Sequence, residues 1–384
     1  KFMKDKFTML IMTFIVIAIF GVIGMFGVII YNEINETDKS NALSEVAEFK
    51  TSSINTNDTV EKNIETPKII EKNPLDELSK NNIENSENDV NYDNIVVNKY
   101  FYNQLESYSK TIYKAFESNK ENMKEGTYKI NLGTSFSNIL SKQNGQEELG
   151  KYYQSAIEAY TYDNPDVFYL SPNKMYLNIE TTTKGQNKTY NVYINNGEEA
   201  NYLNEEFSNK QDINLALEKI EAIRKQIIHN KTGNDYEDIK MVHDYLVENI
   251  EYDTSLQEKN IYNIYGALIN GKCVCEGYAR AFKYLLDGLG IESTMVIGKG
   301  INSSGQSENH AWNYVKLENN WYAVDCTWDD PVIIGGGYIG NSSKYRYFLK
   351  GKEDMEKDHT TLGNFTQGGK EFEYPTLNNK SYKK

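Results

Sequence analysis

Cysteine is scarce in this sequence, with three residues among 384. A domain held together by disulfides would need more of them, and an odd number leaves at least one free thiol to explain. Histidine is almost as rare, with four residues. The spacing of the histidines, cysteines and acidic residues fits neither a zinc site nor a calcium loop. The sequence therefore predicts neither a metal nor a cofactor.

Positive charge is outnumbered by negative charge, with 41 Lys and Arg against 55 Asp and Glu. The formal net charge is -14 at pH 7, and no basic run is long enough to override it. Because the phosphates of nucleic acids attract clustered lysine and arginine, this balance argues against nucleic acid as a partner. An excess of acidic residues instead favours solubility.

Charge of either sign is missing from residues 7–31, FTMLIMTFIVIAIFGVIGMFGVIIY. A helix of that length exceeds the hydrocarbon core of a bilayer, which is about 30 Å thick. A cleaved secretory signal is the alternative, but its apolar core is usually about 7 to 15 residues long, and no small-x-small pattern follows here. Lysines precede the segment and glutamates follow it, so the positive-inside rule places residues 1–6 in the cytoplasm. We predict a single-pass membrane helix over 7–31, with everything after it extracytoplasmic.

Aromatic residues are almost absent from residues 32–95, which are rich in Asn, Glu, Lys, Ser and Thr. A segment of this composition cannot bury enough apolar surface to fold, so we predict a disordered linker. Order is expected from residue 96 onward. We predict an N-terminal subdomain over 96–202 and a second domain over 203–384.

The region 96–202 mixes two periodicities. Apolar residues recur at helical spacing after residue 96 and again over 147–162. Three segments alternate as strands do: NPDVFYL, KMYLNIETTT and KTYNVYIN. This pattern predicts a mixed α and β subdomain and says nothing about its chemistry.

In the region 203–384, helices are predicted first and strands afterwards. Helical spacing covers 214–229 and 235–250, and a third helix follows the cysteines and ends at Gly288 and Gly290. Three later segments read as strands: STMVIG, HAWNYVKL and WYAVDCTW. An order of helices followed by an antiparallel sheet is typical of an α+β domain.

Two of the three cysteines lie one residue apart in GKCVCEGYARAF, residues 271–282. The unpaired N–H groups and the dipole of a helix's first turn favour a thiolate, which makes Cys275, at the predicted helix start, the candidate nucleophile. Cys273 lies in the preceding turn. It is interpreted as a tolerated small residue.

A nucleophilic thiol needs a base and a group that orients the base. His310 begins a predicted strand, and Asp325 follows on what should be the next strand. An even-length turn near Glu318 would put both on one face, because side chains alternate with a period of two. Cys326 would then face away and is interpreted as a core thiol. The remaining histidines are interpreted as structural residues: His229, His243 and His359.

All tryptophans of the chain fall within this hairpin: Trp312, Trp321 and Trp328. Crowded around a Cys, His and Asp set, they would form a partly dry cleft in which electrostatic pairs act strongly. Taken singly, Trp321 or Trp328 would more simply pack a core. We expect Trp312 and Trp328 to line a substrate cleft.

Four segments between Asp235 and His359 resemble the transglutaminase-like superfamily, in its bacterial branch of cysteine proteases. They are HDYLVENIEYD, YGALINGKCVCEGYARAFKYLLDGLGI, NHAWNYVKLENNWYAVDCTWDDP and YFLKGKEDMEKDH. The resemblance implies a papain-like core in which the cysteine lies on a helix packed against the sheet. It also implies a catalytic triad of Cys275, His310 and Asp325.

The sequence departs from that family at three positions. The family usually has another residue at the position of Cys273, and commonly proline at the position of Cys326. Animal transglutaminases place a tryptophan upstream of the cysteine to hold the oxyanion, and this chain has none there. Tyr265 is the candidate substitute donor in the cleft.

The resemblance implies acyl transfer through a thioester, on a protein glutamine carboxamide or a peptide bond. An amine acceptor would give a crosslink, whereas water would give hydrolysis by a cysteine protease or amidase. A surface scaffold or adhesion domain that keeps the fold without turnover is the alternative from another class. The predicted location makes cell-wall or surface proteins the expected partners.

Overall fold

The computed structural model describes residues 69–72, 90–184, 186–301, 305–330, 344–361 and 371–384. The predicted membrane helix over 7–31 lies outside these residues, as does most of the predicted linker over 32–95. Among the described residues, no helix is both long and apolar enough to span a bilayer.

The chain divides into two compact units. Of the described residues, the N-terminal unit holds 69–72, 90–184, 186–218 and 371–373, and the C-terminal unit holds 219–301, 305–330, 344–361 and 374–384. The division falls inside one helix, which is later in the chain than the predicted boundary at 202/203.

The N-terminal unit combines helices with one mixed sheet. Its described helices are α1 (Tyr100–Gln104), α2 (Ser107–Ser118), α3 (Lys120–Met123), α4 (Ser137–Leu140) and α5 (Gly145–Asp163). Its described strands are β1 (Ile69–Lys72), β2 (Ile130–Gly133), β3 (Tyr176–Lys184) and β4 (Asn187–Asn195). The strand order is β1-β3-β4-β2, and only β1 pairs in parallel.

Two predictions for this unit are wrong. Part of the predicted linker forms β1, and Tyr92, also within that segment, is buried and bonds to the Asn131 carbonyl at 2.7 Å. The segment NPDVFYL contains a 3-10 helix at Pro165–Val167 instead of a strand. Proline fixes a helical φ there, and the apolar residues that follow it are all buried, so no alternation of faces is needed.

The C-terminal unit begins with helices and continues as a sheet, as predicted. Its described helices are α6 (Lys210–His229, shared with the first unit), α7 (Asp235–Asn249), α8 (Cys275–Leu289), α9 (Cys326–Asp329) and α10 (Lys352–Met355). Its described strands are β5 (Glu251–Tyr252), β6 (Lys272–Cys273), β7 (Ser293–Ile301), β8 (Ser307–Leu317), β9 (Asn320–Val324) and β10 (His359–Thr361).

The larger sheet of this unit has the order β10-β7-β8-β9 and is antiparallel throughout. Leu317 lies opposite Asn320, so the β8–β9 turn consists of Glu318 and Asn319, with φ of 50° and 65°. A two-residue turn with two positive φ angles matches the right-handed twist of a hairpin. The turn therefore has the even length that puts His310 and Asp325 on one face of the hairpin.

Both faces of this sheet are buried. Helix α8 packs against β7 and β8, and Asn313 Nδ2 donates to the Ala279 carbonyl at 2.9 Å. The neighbouring residue Trp312 points to the opposite face, because side chains alternate along a strand. There it joins a cluster of buried side chains: Val296, Tyr314, Ala323, Tyr347, Met355 and Leu377.

The strand predicted for WYAVDCTW is wrong in its second half. Strand β9 ends at Val324, and Asp325 becomes the N-cap of α9. Its Oδ1 accepts from the backbone N–H groups of Thr327 and Trp328, at 3.0 and 3.2 Å. A cap of this kind satisfies N–H groups that have no partner within the helix, which explains why a helical turn starts here.

Candidate active site

Cys275 is the first residue of α8 and is 7% exposed. The residue before it, Val274, has an extended backbone and no side-chain cap bond, and its N–H donates to the Ile261 carbonyl at 3.0 Å. No side chain of Val274 caps this helix end, and the dipole of the first turn favours an anionic group here. The predicted position of the thiol at a helix start is confirmed.

Cys273 packs against the first turn of α8, at Gly277. It is fully buried, and a Cβ built on Gly277 would lie 2.5 Å from the Cys273 Cβ and 2.7 Å from the Ile261 carbonyl oxygen. Glycine at this position lets the first turn of α8 approach β6. Burial raises the pKa of the Cys273 thiol well above its ordinary value. This thiol is a packing element and a poor nucleophile.

His310 and Asp325 meet across the end of the β8–β9 hairpin. His310 Nε2 lies 2.7 Å from Asp325 Oδ2, and both side chains are buried. Because Nε2 faces the carboxylate, Nδ1 is the ring nitrogen left for Cys275. The structure brings this pair together as the side-chain alternation predicts, although Asp325 belongs to a helix cap instead of a strand.

The pKa of His310 reflects both neighbours. Burial lowers it, but the charge and hydrogen bond of Asp325, followed by the hydrogen bond and charge of Cys275, raise it well above its ordinary value. Burial would raise the pKa of Asp325, yet the charge and bond of His310 and the bond of His359 hold it well below its usual range. The arrangement therefore favours the imidazolium form of His310 beside an ionised Asp325.

The two tryptophans predicted to line a cleft have different positions. Trp328 is partly exposed and stacks on His310, with ring centroids 4.9 Å apart and planes at 27°. Trp312 stacks on the same ring at 5.9 Å, but it is only 1% exposed. Trp312 therefore packs against the imidazole from inside the core. Of the two, Trp328 is the ring with exposed surface that a substrate can contact.

Sequence reasoning missed two tyrosines near Cys275, which are Tyr252 and Tyr262. Burial, followed by the charge of Cys275, raises the pKa of Tyr252 well above its ordinary value, and the same two causes raise the pKa of Tyr262. Tyr252 is the register partner of Cys273 in the β5–β6 pair. The predicted oxyanion donor, Tyr265, directly precedes a π-helix at Gly266–Asn270. The crowding of tyrosine between 252 and 265 was the available signal.

Two histidines interpreted as structural have defined carboxylate partners. His243 Nε2 lies 3.1 Å from Asp329 Oδ2, and both side chains are fully buried. His359 Nε2 lies 3.1 Å from Asp325 Oδ2, the same oxygen that faces His310. His359 therefore contacts the candidate site itself, which its position late in the sequence gave no means to predict.

The ligand atoms of His310, Asp325 and His359 lie within 4.8 Å of one another, a spacing that could enclose a metal ion. The two direct nitrogen-to-oxygen distances, 2.7 and 3.1 Å, are hydrogen-bond lengths. A proton on each nitrogen satisfies them. We interpret this cluster as a hydrogen-bonded network, and the absence of a metal stays a prediction.

The carboxyl of Asp330 should make the stability of the fold depend on pH. Its Oδ2 lies 2.6 Å from the Tyr278 hydroxyl, and burial raises its pKa to about 6. Since this folded pKa exceeds the ordinary value of 3.8, ionised Asp330 destabilises the fold above pH 6, and stability is regained as pH falls toward 4. Asp330→Asn should raise the free energy of unfolding at pH 8 by about 2 kcal/mol.

Urea denaturation at pH 8 and pH 4.5 measures this effect. The gain from Asp330→Asn should shrink to about a third at the lower pH, because the wild-type carboxyl is then protonated in the folded state but still mostly ionised in the unfolded state. A gain of the same size at both values would show that the titration of Asp330 is not its cause.

A cysteine lies at the start of a helix that packs on an antiparallel sheet, and a hydrogen-bonded His and Asp lie at the end of that sheet's hairpin. This is the arrangement expected from the resemblance to transglutaminase-like proteins. Comparison with known proteins agrees with this resemblance. Residues 221–326 match the family model of the Transglutaminase-like superfamily. The chain therefore contains a transglutaminase-like domain, and the match includes all three candidate site residues.

Individual relatives match only parts of the chain. Kyphoscoliosis peptidase from Mus musculus is 33% identical over 110 residues, which are 26% of this chain and 17% of that protein's length. A crystal structure of a TGase aligns at 14% identity and a TM-score of 0.27, covering 44% of this chain and 48% of its own. The periplasmic domain of TgpA from Pseudomonas aeruginosa, bound to ethylmercury, aligns at 16% identity and a TM-score of 0.25, covering 37% and 56%. At these TM-scores the two structures add nothing to the family match.

Proposed function

We propose that this chain is a thiol enzyme that transfers acyl groups through a thioester on Cys275. The observation that supports this most directly is the bond of 2.7 Å between His310 Nε2 and Asp325 Oδ2, which leaves the other ring nitrogen for Cys275 at the start of α8. A thiol, a base and an orienting carboxylate in this order are what acyl transfer needs.

The first half of the reaction forms the thioester. The Cys275 proton passes to His310 Nδ1, and the thiolate attacks the carbonyl carbon of a carboxamide or peptide. Backbone N–H groups of the first turn of α8 stabilise the oxyanion. The C–N bond then breaks, and His310 returns its proton to the departing amine or ammonia.

The second half releases the acyl group. An amine or a water molecule gives a proton to His310 and attacks the thioester carbon, and the C–S bond breaks to free Cys275. Asp325 keeps the imidazole in the tautomer with the proton on Nε2 throughout. An amine acceptor gives an amide crosslink, and water gives hydrolysis.

Hydrolysis is the second candidate. The mouse relative that shares 33% identity over 110 residues is named a peptidase. The chain spans only 17% of that relative, so its activity does not carry over without a direct test. A catalytically silent surface scaffold is the third reading, and an intact Cys, His and Asp set disfavours it.

We further propose a surface location and protein substrates. Residues 7–31, the candidate membrane helix, would hold the enzyme at the cell membrane with its catalytic unit extracytoplasmic, and cell-wall or surface proteins would then be within reach. Protease protection of the N-terminus in intact cells, with the catalytic unit accessible, is the expected result. Digestion of neither end would contradict this topology.

Product analysis tests the reaction. The purified full chain is incubated with a glutamine-bearing protein and a labelled primary amine, and the products are examined for incorporated amine and for new termini by mass spectrometry. Incorporation indicates transfer, and new termini or deamidated glutamine indicate hydrolysis. Neither product, together with a Cys275 that iodoacetamide modifies no faster than in the denatured chain, would leave only the scaffold reading.

A further inference from the structure

We propose that His359 is a positioning residue of the active site: it shares the Asp325 carboxylate with His310 and so sets the strength of the pair formed by His310 and Asp325. The inference rests on the proposed thiol chemistry of Cys275. His359 begins β10 and lies beyond residues 221–326, the part of the chain that matches the family model.

The carboxylate of Asp325 is fully used as an acceptor. Oδ1 accepts from the N–H groups of Thr327 and Trp328, and Oδ2 lies 2.7 Å from His310 Nε2 and 3.1 Å from His359 Nε2. The two backbone bonds fix Oδ1, and the two imidazoles divide Oδ2 between them. A carboxylate with four donors is held in one orientation, and its charge is spread over all of them.

His359 is itself held from its other side. Its Nδ1 lies 2.7 Å from Asp358 Oδ1, and Asp358 Oδ2 accepts from the Tyr347 hydroxyl at 2.7 Å. The network therefore runs from His310 through Asp325, His359 and Asp358 to Tyr347. A ring bonded at both nitrogens cannot rotate away from Asp325 without breaking two bonds.

Aromatic rings close the space around His359. Its centroid lies 4.3 Å from that of Trp328 and 4.9 Å from that of Trp312, the two rings that also stack on His310. The His359 side chain is fully buried. Since the Asp325 side chain is buried as well, these protein donors carry the main part in balancing its charge.

The expected consequence concerns the proton on His310. The titratable groups that face His359 are Asp325, Asp358, Tyr347 and His310. Among them, Asp325 is shared with His310. Removing the donor at His359 concentrates the charge of Asp325 on its remaining partners, so the imidazolium of His310 should lose its proton at a higher pH.

The test uses the alkylation of Cys275, which needs no substrate. The rate of modification by iodoacetamide is measured from pH 4 to 11 in buffers with a chelator, for the full chain and its variants. Trypsin should release CVCEGYAR, residues 273–280, and fragmentation of this peptide separates modification at Cys275 from modification at Cys273. The alkaline change in rate reports the loss of the His310 proton.

His359→Leu should move this alkaline change upward by about half a pH unit or more. His359→Gln, whose side-chain amide can still donate to Asp325, should stay near the wild-type value. In the proposed reaction, His359→Leu should also lower kcat about tenfold or more, with KM little changed, because the base and not the binding surface is altered.

His243 provides a matched control. Its Nε2 also lies 3.1 Å from an aspartate Oδ2, its Nδ1 faces the neighbouring Asp244, and its side chain is equally buried. His243→Leu should cost comparable stability without moving the alkaline change of Cys275. A shift below about 0.2 units in His359→Leu, a downward shift, or an equal shift in His243→Leu would overturn the role of His359.

The outcomes also separate this inference from the proposed function. If wild-type Cys275 reacts no faster than in the denatured chain, the thiol chemistry itself fails, and the inference fails with it. If wild-type Cys275 is activated and shows the alkaline change, but His359→Leu leaves that change in place, only the role of His359 is overturned.

Discussion

Replacing Cys275 with alanine is expected to abolish acyl transfer and hydrolysis while the fold remains intact. Alanine removes only the sulfur atom of this buried residue at the first position of α8, so the fold should survive at a cost similar to that of the same change at Cys273. No other described thiol can take its place, because burial raises the pKa of both Cys273 and Cys326 well above ordinary values. Steady-state assays should show a loss of about 1000-fold or more in kcat.

The other two cysteines serve as controls. Cys273→Ala should keep most activity but lower the free energy of unfolding by about 1 to 2 kcal/mol, because Cys273 fills the contact with Gly277. Cys326→Ala should behave in the same way. Thermal unfolding monitored by circular dichroism measures the change in stability, and the activity assay measures the retained activity. Retention of more than a tenth of the activity in Cys275→Ala would remove this cysteine from the mechanism.

The sequence predicted the hairpin well because its cause is local. Alternation along HAWNYVKL and WYAV, with a two-residue turn between them, determines which residues share a face, and His310 and Asp325 follow from that parity alone. The start of α8 at Cys275 was predictable for the same reason. Neither conclusion depends on contacts between distant parts of the chain.

What the sequence could not predict depends on distant contacts or on a single cap. Asp325 ends a strand because its carboxylate accepts two N–H groups of α9, and strand-like alternation in DCTW concealed this. His359 reaches Asp325 only because β10 pairs with β7, with His359 opposite Gly300. Tertiary pairing of that kind leaves no periodic trace in a sequence, so His359 looked like an ordinary structural residue.

The same reasoning explains why the sequence did not reveal the burial of Trp312. Its position two residues after His310 correctly put both rings on one face of β8, where they stack. Burial of that face depends on residues from β9, α10 and the C-terminal segment, among them Ala323, Met355 and Leu377. The sequence of the hairpin alone could not show that these other segments bury this face.

Asp325→Asn should be the most informative single substitution, because it changes the chemistry and nearly preserves the shape. The amide oxygen can still accept from the N–H groups of Thr327 and Trp328. The amide nitrogen can only donate, so His310 must present its lone pair at Nε2 and carry its proton on Nδ1, toward Cys275. With the base in the wrong tautomer, kcat should fall about 10,000-fold.

The same substitution should lower stability at neutral pH. The pKa of Asp325 lies well below its ordinary value in the fold, so its stabilising contribution is present above about pH 4 and is lost as pH falls through the folded pKa. Asp325→Asn should therefore reduce the free energy of unfolding by about 2 to 3 kcal/mol at pH 7. The difference from wild type should narrow in acid.

Asp329→Asn is the matched control for both effects. Asp329 is as buried as Asp325 and faces a histidine, His243 Nε2, at 3.1 Å, but burial raises its pKa to about 6 instead of lowering it. At pH 7 the ionised form of Asp329 is therefore less favourable in the fold than the neutral form, and Asp329→Asn should leave the free energy of unfolding unchanged or slightly higher. Because its partner is not His310, kcat should change little. Urea titrations and steady-state kinetics on the two variants separate a carboxylate that orients the base from one that bonds to a histidine elsewhere in the core. Equal losses of kcat would mean that Asp325 does not orient His310.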